Sequence, residues 1–348
     1  MTRKLDSGFR AAPLPLAFSD PRGHGMPVLF VHGFGHNRVV WEKLAASLPE
    51  SWRPIAVDLR GHAESPWSPA GEYELDCYAA DLDGVVSSLG IERVHVVAHS
   101  LGGNVATLFA AGTRARILSL VLVDTGPSLE SGGSDHVVDE VESALRSFAS
   151  VAEYRAWLAK IHPMGDGALL DRLAETGVVR RIDGRFEPAL DPGVLGEGGL
   201  GESVAPDALA ERTRTLWQAL GALACPVLVV RGGLSAILSE KIAGEMVDQV
   251  LLDGRLVTLP RAGHGVMLDD PDGLARAVVE FLGGLPVYTS RASSLPIERI
   301  ASGPHGPADP VLPADPTSRS TAVAPLAAPA ASPPAAPRKA PTFPTPLA

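Results

Sequence analysis

The chain has 348 residues, a formal net charge of −10, 45% hydrophobic and 20% charged residues. Those proportions suit one large or two ordinary globular domains with ample core-forming side chains. They argue against a general nucleic-acid binder, which would be basic; two cysteines, Cys77 and Cys225, are too few for a disulfide scaffold. No apolar run approaches the roughly 20 residues of a membrane span, and the N-terminal stretch lacks the continuous apolar region of a secretory signal. The expected location is cytoplasmic, with no membrane partner.

Taken in chain order, short β-rich runs alternate with helical patterns. Strands are expected at 28–31, 54–58, 94–98, 120–123, 226–230 and 255–259. Continuous apolar runs of this length suit strands buried on both faces. Helical periodicity falls between most of them, at 41–48, 76–89, 104–113, 240–247 and 272–282. This is the rhythm of an α/β fold with a mostly parallel central sheet flanked by helices.

The rhythm breaks between 127 and 223, where no strand is convincing and helices are expected at 137–148, 152–162, 167–176 and 206–220, interrupted by a Gly-rich stretch at 191–202. A helical insert between two sheet strands usually sits over the strand ends, where ligands bind in open α/β sheets. The expected domains are thus a core of 1–126 and 224–286, a helical cap at 127–223, and a tail at 287–348. Of the 31 prolines, 13 fall in 301–348. Such a segment offers no apolar face, so the tail is expected to be disordered or partly polyproline-II; docking to a proline-reading module is the alternative.

Three motifs carry chemistry. Ala98-His99-Ser100-Leu101-Gly102-Gly103 follows a strand directly and opens a helix. That is the context of a nucleophile elbow, with Ala98 in place of the first glycine of GxSxG. The tight turn lifts Ser100 above the sheet edge and aims a helix N-terminus at the reacting centre. His32-Gly33-Phe34-Gly35 ends the first strong strand. Its glycines allow a backbone N–H, that of Phe34, to turn inward and join that of Leu101 in holding an oxyanion. Gly263-His264-Gly265 lies between the last strand and the last helix. A serine needs a base, and His264 has the best-placed imidazole of the ten histidines. No phosphate-cradling GxxxxGKS/T occurs, so neither a cofactor nor a metal is expected.

The stretches VLFVHGFG, IAVDLRGHAES, VHVVAHSLGGNVA, LVLVDTGP, PVLVVRGGLS and LPRAGHGVMLDDPDGL together resemble the α/β-hydrolase fold superfamily, over roughly residues 13–285. The resemblance carries the family's nucleophile, base and oxyanion positions to Ser100, His264, Phe34 and Leu101. It leaves the acid open. The family usually places an Asp after the strand at 227–230, but this chain reads Arg231-Gly232-Gly233-Leu234-Ser235-Ala236 there. Three explanations stand: the acid has moved to Asp124, at the end of the preceding strand; a neighbour such as Glu240 swings in; or no carboxylate contacts His264. The first and second imply a complete triad, the third a slow enzyme or a binder.

Ser100 rather than an Asp nucleophile implies hydrolysis of a carboxylic ester or related acyl bond of a small to medium apolar substrate. Carbon–carbon bond hydrolases, lactonases and cofactor-free perhydrolases resemble the chain equally well. A ligand-binding protein with weak turnover is the reading from another class. The partner expected is a small-molecule substrate; oligomeric state is not legible.

Overall fold

The β-branched runs all become strands of one sheet. The computed structural model describes residues 11–128, 146–196 and 206–285. Its seven-stranded sheet contains β1 (Phe18–Ser19), β2 (Met26–Val31), β3 (Trp52–Val57), β4 (Arg93–His99), β5 (Arg116–Val123), β8 (Val227–Gly232) and β9 (Gly254–Leu259), in the order β1-β3-β2-β4-β5-β8-β9. Every pairing is parallel except β1 with β3. Parallel neighbours need crossovers, and helices supply them: α1 (Glu42–Ser47), α2 (Leu75–Ser88) and α3 (Leu101–Gly112) in the first half, then α7 (Glu240–Glu245). The chain closes with α8 (Val266–Asp269) and α9 (Pro271–Gly283).

The sheet divides the core by the two-residue period of a strand. Leu29 and Val31 of β2 pack with Val96, Leu120, Val229, Tyr78 and Phe109 on one face. Val28 and Phe30 pack with Val97, Val121, Val230, Trp41 and Phe281 on the other. All four β2 side chains are buried, which is why the run reads as continuous rather than alternating. Behind the β3 end, the buried Arg60 guanidinium donates to both oxygens of Asp81, at 2.6 and 2.7 Å. Asp81 also accepts the Leu14 N–H at 2.5 Å. A buried pair is tolerable only when so fully hydrogen-bonded.

Between β5 and β8 come α4 (Val151–Ile161), α5 (Gly167–Thr176) and α6 (Pro206–Gly221). Ser150 and Asp166 cap the first two by accepting the N–H groups of Glu153 and Leu169. The insert differs from the sequence expectation in two respects. A short hairpin joins β6 (Val178–Arg180) to β7 (Phe186–Pro188), where no strand was expected. Phe148, expected as the end of a helix, is extended and bridges Phe186 instead. Most of that helix, at 137–148, lies outside the described residues, as do 197–202 of the Gly-rich stretch and the whole of the proline-rich tail. The insert is tied to the core by its middle: Leu190 bridges His62, the Ala63 N–H donates to Ala189 O at 2.7 Å, and the Asp191 N–H donates to Gly61 O at 2.7 Å. The two-residue β1 was also too short to announce itself.

Candidate active site

Three loops at the carboxyl edge of the parallel sheet bring the site together. The first is the turn from β4 into α3. Ser100 there has φ 50° and ψ −121°, a conformation L-residues seldom adopt. The turn is pressed onto its surroundings: a Cβ on Gly102 would lie 2.3 Å from the His32 carbonyl oxygen. Leu101 is the first residue of α3, so its N–H has no intrahelical acceptor and faces the helix N-terminal side. The second loop, 32–36, abuts the elbow and carries Phe34, which lines a cavity there. His32 in this loop is hydrogen-bonded through both ring nitrogens. Its Nδ1 donates to Gly33 O at 2.7 Å and its Nε2 accepts the Leu59 N–H at 2.9 Å. Among the described residues no group of three or more His, Cys, Asp or Glu side chains could hold a metal ion.

The third loop, after β9, delivers His264. Its Nε2 lies 3.0 Å from Ser100 Oγ and its Nδ1 lies 2.7 Å from Asp124 Oδ2. A carboxylate can only accept, so Nδ1 carries the proton and Nε2 is left to accept from the Ser100 hydroxyl. Of the three explanations for the acid, the structure brings Asp124 to the histidine. Glu240 is exposed in the first turn of α7. Asp124 follows β5 with φ 46°, and this turn aims a fully buried carboxylate along the sheet edge. Its Oδ1 accepts the Gly232 N–H at 2.8 Å and its Oδ2 also accepts from Ser235 Oγ at 2.5 Å. Three donors thus replace the water that burial removes. Ala236 is exposed and lines the cavity.

Three residues here were missed or undervalued in the sequence. Ser235 is one. Asp269 is another: its Oδ2 accepts the Gly263 N–H at 2.8 Å, which fixes the turn into His264, and burial pushes its carboxyl above the usual range. The signal available was a carboxylate five residues after the histidine, within reach of a backward bond. The third is His162, at the end of α4, whose ring lies 5.6 Å from that of His36. Burial, with help from His264, pushes His162 down to about 4. Burial and neighbouring imidazoles hold His36 and His99 well below the ordinary histidine range. These rings are therefore neutral at neutral pH. His99 Nε2 donates to the His264 carbonyl at 2.9 Å, which links the elbow to the histidine loop.

Beside His264 opens a cavity of about 500 Å³. Tyr154, Trp157 and Leu158 of α4 form one wall, and Leu234 and Ile237 another. Tyr154 and Trp157 line the cavity and also pack in the same core as Phe148, whereas Trp217 packs against the core on the other face of the sheet.

Residues 28–277 match the model of the α/β hydrolase family. The chain belongs to that family. This hydrolase is 28% identical over 263 residues to the 2-(acetamidomethylene)succinate hydrolase of Mesorhizobium japonicum, covering 75% of this chain and 89% of that one. The crystal structure of E-2-(acetamidomethylene)succinate hydrolase superposes with a TM-score of 0.67 at 26% identity, over 79% of this chain and 99% of the other. An esterase from Mycobacterium tuberculosis is 27% identical over 270 residues, covering 76% and 83%; its crystal structure superposes with a TM-score of 0.64, over 77% and 88%. Among the described residues, no helix of the hydrolase is long and apolar enough to cross a membrane.

Proposed function

We propose that the hydrolase cleaves a carboxylic ester or related acyl bond through Ser100, His264 and Asp124. The observation that carries this reading is the unbroken hydrogen-bonded line from Ser100 Oγ through His264 to Asp124, at 3.0 and 2.7 Å. Ser100 Oγ attacks the acyl carbon while His264 Nε2 takes its proton. The imidazolium so formed is stabilised by Asp124, which stays a carboxylate throughout. Negative charge gathers on the former carbonyl oxygen, and the N–H groups of Leu101 and Phe34 receive it. His264 returns the proton to the leaving alcohol. Water, deprotonated in turn by His264, then releases the acid and restores Ser100.

The cavity supports an apolar substrate class. Its aromatic and aliphatic walls suit a small to medium apolar acyl or alcohol group, one wall coming from α4 of the insert and the other from the loop after β8. The insert therefore acts as a cap: α4 covers the site and shapes it, while the sheet does the chemistry. The proposed domains remain the core at 1–126 and 224–286 with this cap between them.

The test is a panel of short- to medium-chain p-nitrophenyl esters with wild type and Ser100→Ala, alongside labelling by a fluorophosphonate. Turnover in the wild type, a loss of at least about 10⁴-fold in Ser100→Ala, and labelling confined to Ser100 are expected. An unlabelled Ser100 would refute the serine mechanism and favour a binding protein.

A further inference from the structure

We infer that Ser235 is a positioning residue: its hydroxyl fixes the plane of the Asp124 carboxylate, and through it the orientation of His264. This rests on the reading of Ser100, His264 and Asp124 given above. The carboxylate of an aspartate turns about an sp³–sp² bond whose wells are broad and roughly two-fold. An Asp at a strand end therefore does not by itself choose where its oxygens point. Two fixed donors remove the choice here: the Gly232 N–H on Oδ1 at 2.8 Å and the Ser235 Oγ–H on Oδ2 at 2.5 Å. Oδ2 is the oxygen that also meets His264 Nδ1.

The Ser235 hydroxyl is itself held. It accepts the Ile237 N–H at 3.0 Å, so its single proton is directed to Asp124. The loop beneath it is braced against the segment that leads to His264. The Gly233 N–H donates to Leu259 O at 2.8 Å, that of Leu234 to Ala262 O at 2.9 Å, and that of Ser235 to Gly232 O at 3.0 Å. A Cβ on Gly232 would lie 2.1 Å from the Gly263 carbonyl oxygen, so the two loops touch through backbone. The loop after β8 and the histidine loop thus form one block, and Ser235 locks Asp124 to it. Where the family usually carries the acid this chain has Ala236, and the residue before it, Ser235, donates to an acceptor at the end of the neighbouring strand β5.

The test needs no knowledge of the natural substrate. The rate at which a fluorophosphonate labels Ser100 reports how well His264 is held. It is measured in wild type, Ser235→Ala, Ser235→Thr, Asp124→Asn and the Asp124→Asn/Ser235→Ala double variant. Thermal melts check folding. Ser235→Ala is expected to lower the rate about ten- to a hundredfold, as misplaced supporting groups do, and Ser235→Thr to recover most of it. The double variant is expected to be no slower than Asp124→Asn alone, because Ser235 acts only through Asp124. A Ser235→Ala rate within twofold of wild type would overturn the inference, and so would losses that multiply in the double variant. Should Ser235→Ala not fold, Ser235→Cys preserves the shape with a weaker donor, and an unchanged rate there would overturn the inference equally. Failure of the underlying reading looks different: the wild type itself goes unlabelled.

Discussion

β5 and β8 are neighbours in the sheet, run in the same direction and end at the same edge. Their ends have traded roles. β5 is followed by Asp124, turned by a positive φ so that its carboxylate meets His264. β8 ends in Gly232 and leads to Ser235 and Ala236, which supply two donors and a methyl group. On the proposed mechanism, the histidine requires an acceptor at a point in space, whichever strand carries it. Adjacent parallel strands end within a side chain's length of each other, so either can serve.

The largest effect is expected at the acid itself. Asp124→Asn should lower kcat about 10³- to 10⁴-fold, because the amide offers an N–H where the histidine proton must go. If the two strand ends are interchangeable, adding Ala236→Asp to Asp124→Asn should recover at least about tenfold of that loss, measured with the p-nitrophenyl ester turned over best. No recovery would mean that position 236 no longer addresses His264.

A second, smaller effect belongs to three buried histidines. His62, His95 and His162 are each pushed by burial down to about 4, against about 6.5 in an unfolded chain. Between those values the unfolded chain binds more protons than the folded one, so stability falls as pH drops from about 6.5 toward 4. Thermal midpoints across that window should decline steadily, and a flat profile would contradict the burial of these rings. The smallest effect belongs to Glu240. Glu240→Gln should leave kcat within twofold of wild type, since that carboxylate stands exposed on α7.

The fold was largely legible because its strands announce themselves locally. Runs such as Val28–Leu29–Phe30–Val31 are buried on both faces and need no long-range information to be recognised. The hairpin of β6 and β7 was not, because three-residue strands ending in Arg180 and Pro188 carry no alternation to read. The same division runs through the site. Ser100 and His264 sit in short glycine-flanked motifs that report their own turns. Asp124 stood among three options, since the contact that selects it spans 140 residues. Ser235 was passed over altogether, as its partner lies 111 residues away and a lone serine in a loop signals nothing.

The backbone at Ser100 has a consequence for evolution. Its φ of 50° and ψ of −121° suit glycine better than any residue with a Cβ. Holding serine there costs roughly 1–3 kcal/mol of local strain, a sizeable part of the 5–15 kcal/mol that separates folded from unfolded domains. Selection for durability alone would therefore drift this position toward glycine and leave an intact, inert hydrolase fold behind. On the proposed mechanism, that strain is the cost of presenting the Ser100 hydroxyl to His264.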